Sequence, residues 1–144
     1  MPKRLDLPRE AFLSHSSKDR RFVDGLSSTL RSHGIPVWYS QKNIVGAQQW
    51  HDEIGKALAR CDWFVVVLTP HSVKSEWVYQ ELLYALNHRQ YKGHIVPLLK
   101  RKCSYEQLSW TLDSFQRVDF TDNYDQACVE LLRVWGMGYK KVGK

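Results

Sequence analysis

The sequence lacks the features of a membrane-spanning or secreted protein. No apolar run approaches the roughly 20 residues that a transmembrane helix needs. The opening segment MPKRLDLPRE has no apolar core of the kind found in a secretory signal, so we expect no export. The three cysteines, Cys61, Cys103 and Cys128, show no CxxC spacing, which argues against a disulfide framework and a zinc site. These absences together predict a cytoplasmic protein with reduced thiols and no membrane partner.

Several binding motifs are also missing. The chain has neither the GxGxxG fingerprint of a dinucleotide-binding Rossmann fold nor a Walker phosphate-binding loop. His51, His71 and His94 stand isolated, so no metal site is predicted. The first predicted strand runs into Leu-Ser-His at 13–15 without the acidic pair that holds Mg²⁺ in response regulators, which excludes that class. We therefore expect no metal and no resident cofactor.

What the chain does have is ordinary globular composition with a basic balance. It carries 21 lysines and arginines against 15 aspartates and glutamates within 144 residues, a length that favours one domain. The basic residues are dispersed, and no stripe of basic and aromatic residues supports nucleic-acid binding. We predict a flexible lead-in at 1–9, one domain at 10–136 and a basic tail at 137–144.

Apolar runs and helical stripes alternate along the chain five times. This alternation predicts an α/β fold, a flavodoxin-like three-layer sandwich with a five-stranded parallel sheet of order 2-1-3-4-5 and helices on both faces. The predicted helices run over about 19–33, 50–60, 77–88 and 124–135, with a short one at 105–110. The predicted strands are 10–14, 35–39, 63–68, 94–99 and 115–120.

The segment from 62 to 88 is the centre of this pattern. Six consecutive apolar residues at 63–68 predict a strand covered on both faces. The next helix has a core stripe of Val78, Leu82, Ala85 and Leu86, and beside it a stripe of Trp77, Glu81, Tyr84 and His88. In such sheets ligands bind beyond the carboxyl ends of the strands where the order reverses, so Trp77 and Glu81 are candidates for chemistry. The alternatives are a solvated Glu81 and a Trp77 that packs against the sheet.

The loop at 40–49 is long for a connection from a strand to a helix. Ile44 and Val45 form an apolar tip next to Gly46 within this otherwise polar loop. Exposed apolar groups of this kind favour contact with a partner, which is the rest of the chain, another copy or a ligand.

Three stretches in order resemble the TIR (Toll/interleukin-1 receptor) domain family. The strand and Ser-His-Ser at 11–16 resemble the first family motif, and 35–39 with the loop containing Gly46 resemble the second strand and the BB loop. The strand at 64–70 and the helix start at 75–81, with Ser-x-Trp-x-x-x-Glu, resemble the third. The resemblance covers about 10–135, nearly the whole chain.

The resemblance implies an NAD⁺-cleaving enzyme of the prokaryotic TIR type. Such domains release nicotinamide and leave ADP-ribose or a cyclic ADP-ribose, with NAD⁺ as substrate rather than cofactor, and Glu81 matches the family's catalytic glutamate. The residues that match the family's pocket are His15, Ser16, Ser17, Trp38, Ile44, Val45, Gly46 and Trp77. The family also implies head-to-tail contacts between copies through the 40–49 loop, a fused or separate sensor or effector, and a role in prokaryotic immunity against phage.

Two departures and one alternative accompany this reading. Tyr39-Ser40 stands where many relatives have an aspartate, and Ser16 and Ser17 stand where some catalytic members have arginines. The alternative function is a non-catalytic module that binds other TIR domains through the 40–49 loop. A nucleoside deoxyribosyltransferase-like enzyme is related in chemistry, since it also uses a helix glutamate on a flavodoxin-like fold.

Overall fold

A computed structural model describes residues 7–40 and 47–141. Within these ranges five strands form one parallel sheet of order β2-β1-β3-β4-β5, as predicted. The strands are β1 (Ala11–Ser14), β2 (Val37–Trp38), β3 (Trp63–Leu68), β4 (Ile95–Leu99) and β5 (Val118–Asp119). The α-helices are α1 (Arg20–Ser32), α2 (Ala47–Arg60), α3 (Glu76–Leu86) and α4 (Tyr124–Val134). Within the described residues, no helix combines the length and apolar character needed to cross a membrane.

The helices cover both faces of the sheet, which gives the predicted three-layer sandwich. Buried residues of α1 and α4 form one core with Leu13, Val65 and Leu98 of the sheet. Buried residues of α2 and α3 form a second core with Phe12, Phe64 and other alternate positions of the same strands. Because successive strand residues point to opposite faces, Phe12 and Ser14 lie on the α2/α3 side.

The two outer strands are shorter than predicted. β2 and β5 each have two residues, whereas the apolar patterns predicted 35–39 and 115–120. An edge strand has a pairing partner on one side only, and β2 pairs with just Ala11 and Phe12 of β1. Ile35, Tyr39 and Phe120 are nevertheless buried beyond the ladders. The apolar pattern therefore reports burial more faithfully than it reports strand pairing.

The first helix also begins differently from the prediction. Ser16 caps a 3₁₀ turn at Ser17–Asp19 by accepting from the Lys18 N–H, and α1 begins only after it. The Asp19 carboxylate does not cap α1; it accepts a hydrogen bond from the Thr69 hydroxyl at 2.7 Å. This bond joins the end of β3 to the loop after β1. At the other end, Gly34 takes a left-handed φ of +82° directly after the predicted helix range of 19–33 and closes the helix.

The segment between β4 and β5 differs from its prediction. The single short helix predicted at 105–110 is two 3₁₀ turns, Tyr105–Gln107 and Trp110–Ser114. Ser109 separates them because its side chain accepts from the Thr111 N–H and starts the second turn. After α4, Tyr139 stacks on His33 with ring centroids 5.6 Å apart.

Candidate active site between α2 and α3

A cleft of about 260 Å³ opens between α2 and α3, on the face of the sheet that carries Phe12. Its walls combine apolar, aromatic and polar groups from the two helices. The lining residues are His51, Ile54, Gly55 and Leu58 from α2, and Trp77, Gln80, Glu81 and Tyr84 from α3. A buried carboxyl group in a largely apolar cleft has the character of a ligand site.

Glu81 lies in this cleft with only 6% of its surface exposed. Ser75 caps α3 by accepting from the Val78 N–H at 3.2 Å, and this cap fixes where the helix begins. Helical spacing then places Glu81 next to the buried stripe of Val78 and Leu82, facing inward. The alternative of a solvated Glu81 is therefore wrong.

Ser14, the last residue of β1, donates a hydrogen bond from its hydroxyl to Glu81 Oε1 at 2.6 Å. Ser14 is 1% exposed, so water does not compete for this bond. Burial raises the pKa of Glu81 to about 8, and the hydrogen bond from Ser14 opposes the rise. The carboxyl thus titrates in the physiological range, as suits a group that must be charged for part of a reaction.

Trp77 and His51 lie above this carboxyl at the mouth of the cleft. Trp77 is 39% exposed, and its ring meets His51 edge-on with centroids 6.0 Å apart. The alternative of a Trp77 packed on the sheet is wrong, because α3 turns its indole toward α2. A partly exposed indole beside a buried carboxyl is a pair of groups that suits a flat, positively charged ring.

The loop after β1 is placed mostly on the other side of the sheet. The His15 ring meets Tyr39 edge-on at 5.7 Å, and burial lowers the pKa of His15, which favours its neutral form. Ser16 is buried as the cap described above, and Ser17 is exposed. The structure therefore brings neither His15 nor Ser17 into the cleft, and their part in substrate binding stays a prediction.

Trp38 shares the α2/α3 face with Glu81 but packs within the core. Its ring stacks on Phe12 with centroids 5.1 Å apart and planes at 29°. Packing therefore accounts for Trp38, and contact with a ligand stays a prediction. Ile44, Val45 and Gly46 lie outside the described residues, so their place in the pocket also stays a prediction.

Sequence reasoning missed Ser14 and His51 as site residues. The signal for Ser14 was available, because two-residue alternation from Phe12 puts its side chain on the face that α3 covers. His51 gave no such signal, since its position depends on how α2 packs against α3.

A larger cavity of about 440 Å³ lies at the other end of α3, around His88, Arg89 and Phe115. Its described lining contains no carboxylate. The smaller cleft is therefore the better candidate on chemical grounds, because it contains the Glu81 carboxyl.

Comparison with known proteins agrees with this fold. The sequence profile of the TIR domain matches residues 11–132. The chain is 28% identical over 133 residues to the NAD(+) hydrolase PdTIR of Paracoccus denitrificans, which covers 88% of the chain and 44% of that relative. It is 31% identical over 88 residues to the 2′ cyclic ADP-D-ribose synthase BtTIR of Bacteroides thetaiotaomicron, covering 60% of the chain and 30% of the relative.

The solved structures give the same fold. The TIR domain of the Toll-related receptor TRR-2 from Hydra magnipapillata superposes with a TM-score of 0.69 at 20% identity, covering 85% of this chain and 94% of that one. At this identity the likeness speaks for the fold alone. The chain spans less than half the length of the two curated relatives named above.

Proposed function

The chain belongs to the TIR domain family, and on that premise we propose that it cleaves the bond between nicotinamide and ribose in NAD⁺. The proposal depends on one observation: the carboxyl group of Glu81 is buried in a cleft. Glu81 also matches the glutamate of the family's Trp-x-x-x-Glu stretch. The names of the two curated relatives, a hydrolase of NAD⁺ and a synthase of cyclic ADP-ribose, support the same substrate.

The reaction needs stabilisation of positive charge more than it needs acid catalysis. As the bond from ribose C1′ to the pyridinium nitrogen breaks, its electron pair moves to the nitrogen and nicotinamide leaves as a neutral ring. The ribose is left with oxocarbenium-like character, which a nearby carboxylate stabilises, as in glycosidases. Glu81 is the group that supplies this negative charge, within a site where burial strengthens its effect.

The acceptor decides the product. Attack of water at C1′ gives ADP-ribose and releases one proton. Attack by a nucleophilic group elsewhere in the same molecule closes a cyclic ADP-ribose instead and also releases one proton. In both cases nicotinamide is the other product, so its release reports the common step.

The cleft holds only part of NAD⁺. Its volume of about 260 Å³ is below the roughly 300–1,000 Å³ typical of sites that enclose a whole ligand. The nicotinamide and its ribose therefore occupy the cleft beside Glu81, and Trp77 stacks on a base at its mouth. The pyrophosphate and adenosine extend outward, past the described walls. NAD⁺ is consumed as the substrate, and the proposal requires no metal or resident cofactor.

The test is product analysis of the purified chain with NAD⁺, resolved by chromatography. We expect wild type to release nicotinamide and Glu81→Gln to release it at least about 100-fold more slowly. Glu76→Gln is the matched control, since Glu76 is an exposed carboxylate of the same helix and should keep wild-type activity. A folded Glu81→Gln protein that cleaves NAD⁺ as fast as wild type would falsify the proposal.

A second role, contact between copies of the domain, is supported by the apolar pair Ile44 and Val45 in the polar 40–49 loop. Head-to-tail contacts of one surface with a different surface need not close and can extend into filaments. Light scattering at high protein concentration, with and without NAD⁺, tests this role. We expect growth in mass that Ile44→Asp abolishes; a monomer that still turns over NAD⁺ shows that assembly is unnecessary.

A further inference from the structure

The Glu81 carboxyl has one hydrogen-bond partner within the described chain. Ser14 Oγ donates to Oε1, and among the side chains that the structure describes, at 7–40 and 51–141, Oε2 has no hydrogen-bonding or ion-pair partner. The two residues are 67 positions apart in sequence and come from different elements. A buried carboxyl held at one oxygen leaves the other oxygen available to a ligand in the cleft.

The hydroxyl of Ser14 is held in place by the sheet. Ser14 ends β1, an inner strand, and pairs in register with Val66 of β3. Its backbone is therefore fixed beside the central strand, and its side chain is 1% exposed. A donor fixed by two neighbouring strands is more precisely placed than one carried by a loop.

The other groups around the carboxyl do not replace this donor. From α2, the titratable group that lines the cleft is His51; from α3 itself it is Tyr84. β1 and β3 present Phe12 and Val66 on this face, and both are apolar. No lysine or arginine is among the described residues that line the cleft.

We propose that Ser14 is a positioning residue for Glu81, whose hydroxyl holds Oε1 so that Oε2 faces the ribose of NAD⁺. This inference rests on the proposed NAD⁺ cleavage. The hydroxyl touches the carboxyl and not the reacting atoms, so it acts through Glu81. It also favours the charged carboxylate, because it donates to that form, and this effect opposes the desolvation that raises the pKa of Glu81.

The test compares Ser14→Ala with wild type by two independent measurements. The first is an NMR titration of the Glu81 side-chain carboxyl in the protein without ligand, which does not depend on activity. The second is the pH dependence of kcat/KM for nicotinamide release. Ser27→Ala is the matched control, because it also removes a fully buried hydroxyl but from α1, on the opposite face of the sheet.

We expect Ser14→Ala to raise the pKa of Glu81 by about 1–2 units, as loss of a hydrogen bond to a charged group implies. The acid limb of kcat/KM should move to higher pH by the same amount, and kcat should fall more than KM rises. Ser14→Thr, which keeps the hydroxyl, should restore both values. Ser27→Ala should leave both unchanged.

The two proposals fail in different ways. An unchanged Glu81 pKa in Ser14→Ala, or a shift that Ser27→Ala reproduces, overturns the role of Ser14. A wild-type protein that releases no nicotinamide overturns the proposed function, while the NMR titration still decides whether Ser14 acts on Glu81. If Ser14→Ala does not fold, Ser14→Cys keeps the shape with a weak donor and should raise the pKa in the same direction.

Discussion

At the scale of single residues, the site depends on the balance between one buried acid and one hydroxyl. Burial disfavours the charge on Glu81, and the Ser14 hydrogen bond favours it. The effect of burial is the larger of the two, so the pKa of Glu81 in the free protein is raised to about 8. A bound pyridinium ring would favour the carboxylate again, because it brings a positive charge into the cleft.

This balance predicts a pH dependence of folding stability. The pKa of Glu81 is raised from 4.5 to about 8 in the folded protein, so between these values the folded state holds a proton that the unfolded state has lost. Stability should therefore fall as pH rises from about 5 to 8, and Glu81→Gln should remove this part of the fall, on the order of a few kcal/mol. Urea unfolding of both proteins at pH 5 and 8 measures it. Parallel pH profiles for the two proteins would contradict the assigned burial.

Activity should follow the same ionisation in the opposite direction. Because the proposed reaction requires the carboxylate form of Glu81, kcat/KM for NAD⁺ should rise with pH and reach half of its maximum near the pKa of about 8. Initial rates of nicotinamide release between pH 6 and 9 measure this profile. A rate that is flat across this range would show that Glu81 is already charged in the free protein.

At the scale of elements, the cleft depends on how the ends of α2 and α3 are held. The side-chain amide of Gln90 donates to two carbonyl groups at the end of α2. Its Nε2 lies 3.2 Å from the carbonyl oxygen of Leu58, in the last turn, and 2.8 Å from that of Cys61, the residue after the helix. The buried Tyr91 hydroxyl donates to the same Leu58 carbonyl. These bonds satisfy carbonyl groups that a helix end leaves without partners, and Leu58 lines the cleft.

Removing the Tyr91 hydroxyl should therefore weaken the fold. We expect Tyr91→Phe to lower the free energy of unfolding by about 1–2 kcal/mol, because it removes a buried hydrogen bond without changing the ring. Tyr105→Phe is the matched control, since its bond to Asp113 is exposed and should contribute less than about 0.5 kcal/mol. Urea unfolding measures both. Equal effects of the two variants would show that the buried bond from Tyr91 to Leu58 stabilises the fold no more than an exposed hydrogen bond does.

At the scale of the whole molecule, the sequence predicted the sheet order, the layers and the core of α3 because these follow from apolar periodicity. The predicted ends of β2 and β5 are wrong, because apolar residues extend each pattern past the paired strand. Ile35 and Phe120 are buried, but they lie outside these two strands. Helical spacing places Glu81 beside the buried stripe of α3, but its burial also depends on how α3 packs against the sheet and α2, which that spacing does not encode. The residues alone therefore slightly favour a solvated glutamate, whereas the resemblance to the TIR family favours a catalytic one.

The same limit applies to the partners of the site residues. The bond from Ser14 to Glu81 joins residues 67 apart, and the contact of His51 with Trp77 joins two helices across β3. Local patterns indicate which face a side chain occupies, but they do not identify the group that meets it. Alternation along β1 also explains why His15 faces Tyr39 while Ser14 faces Glu81.

The proposed function depends on the carboxylate of Glu81, which would drive cleavage of NAD⁺. Its most direct test is kcat for nicotinamide release by wild type and Glu81→Gln at pH 8.5, with folding checked by circular dichroism. We expect a fall in kcat of at least about 100-fold with a much smaller change in KM. A kcat for Glu81→Gln within a factor of about two of wild type, less than 1 kcal/mol in activation free energy, would contradict it.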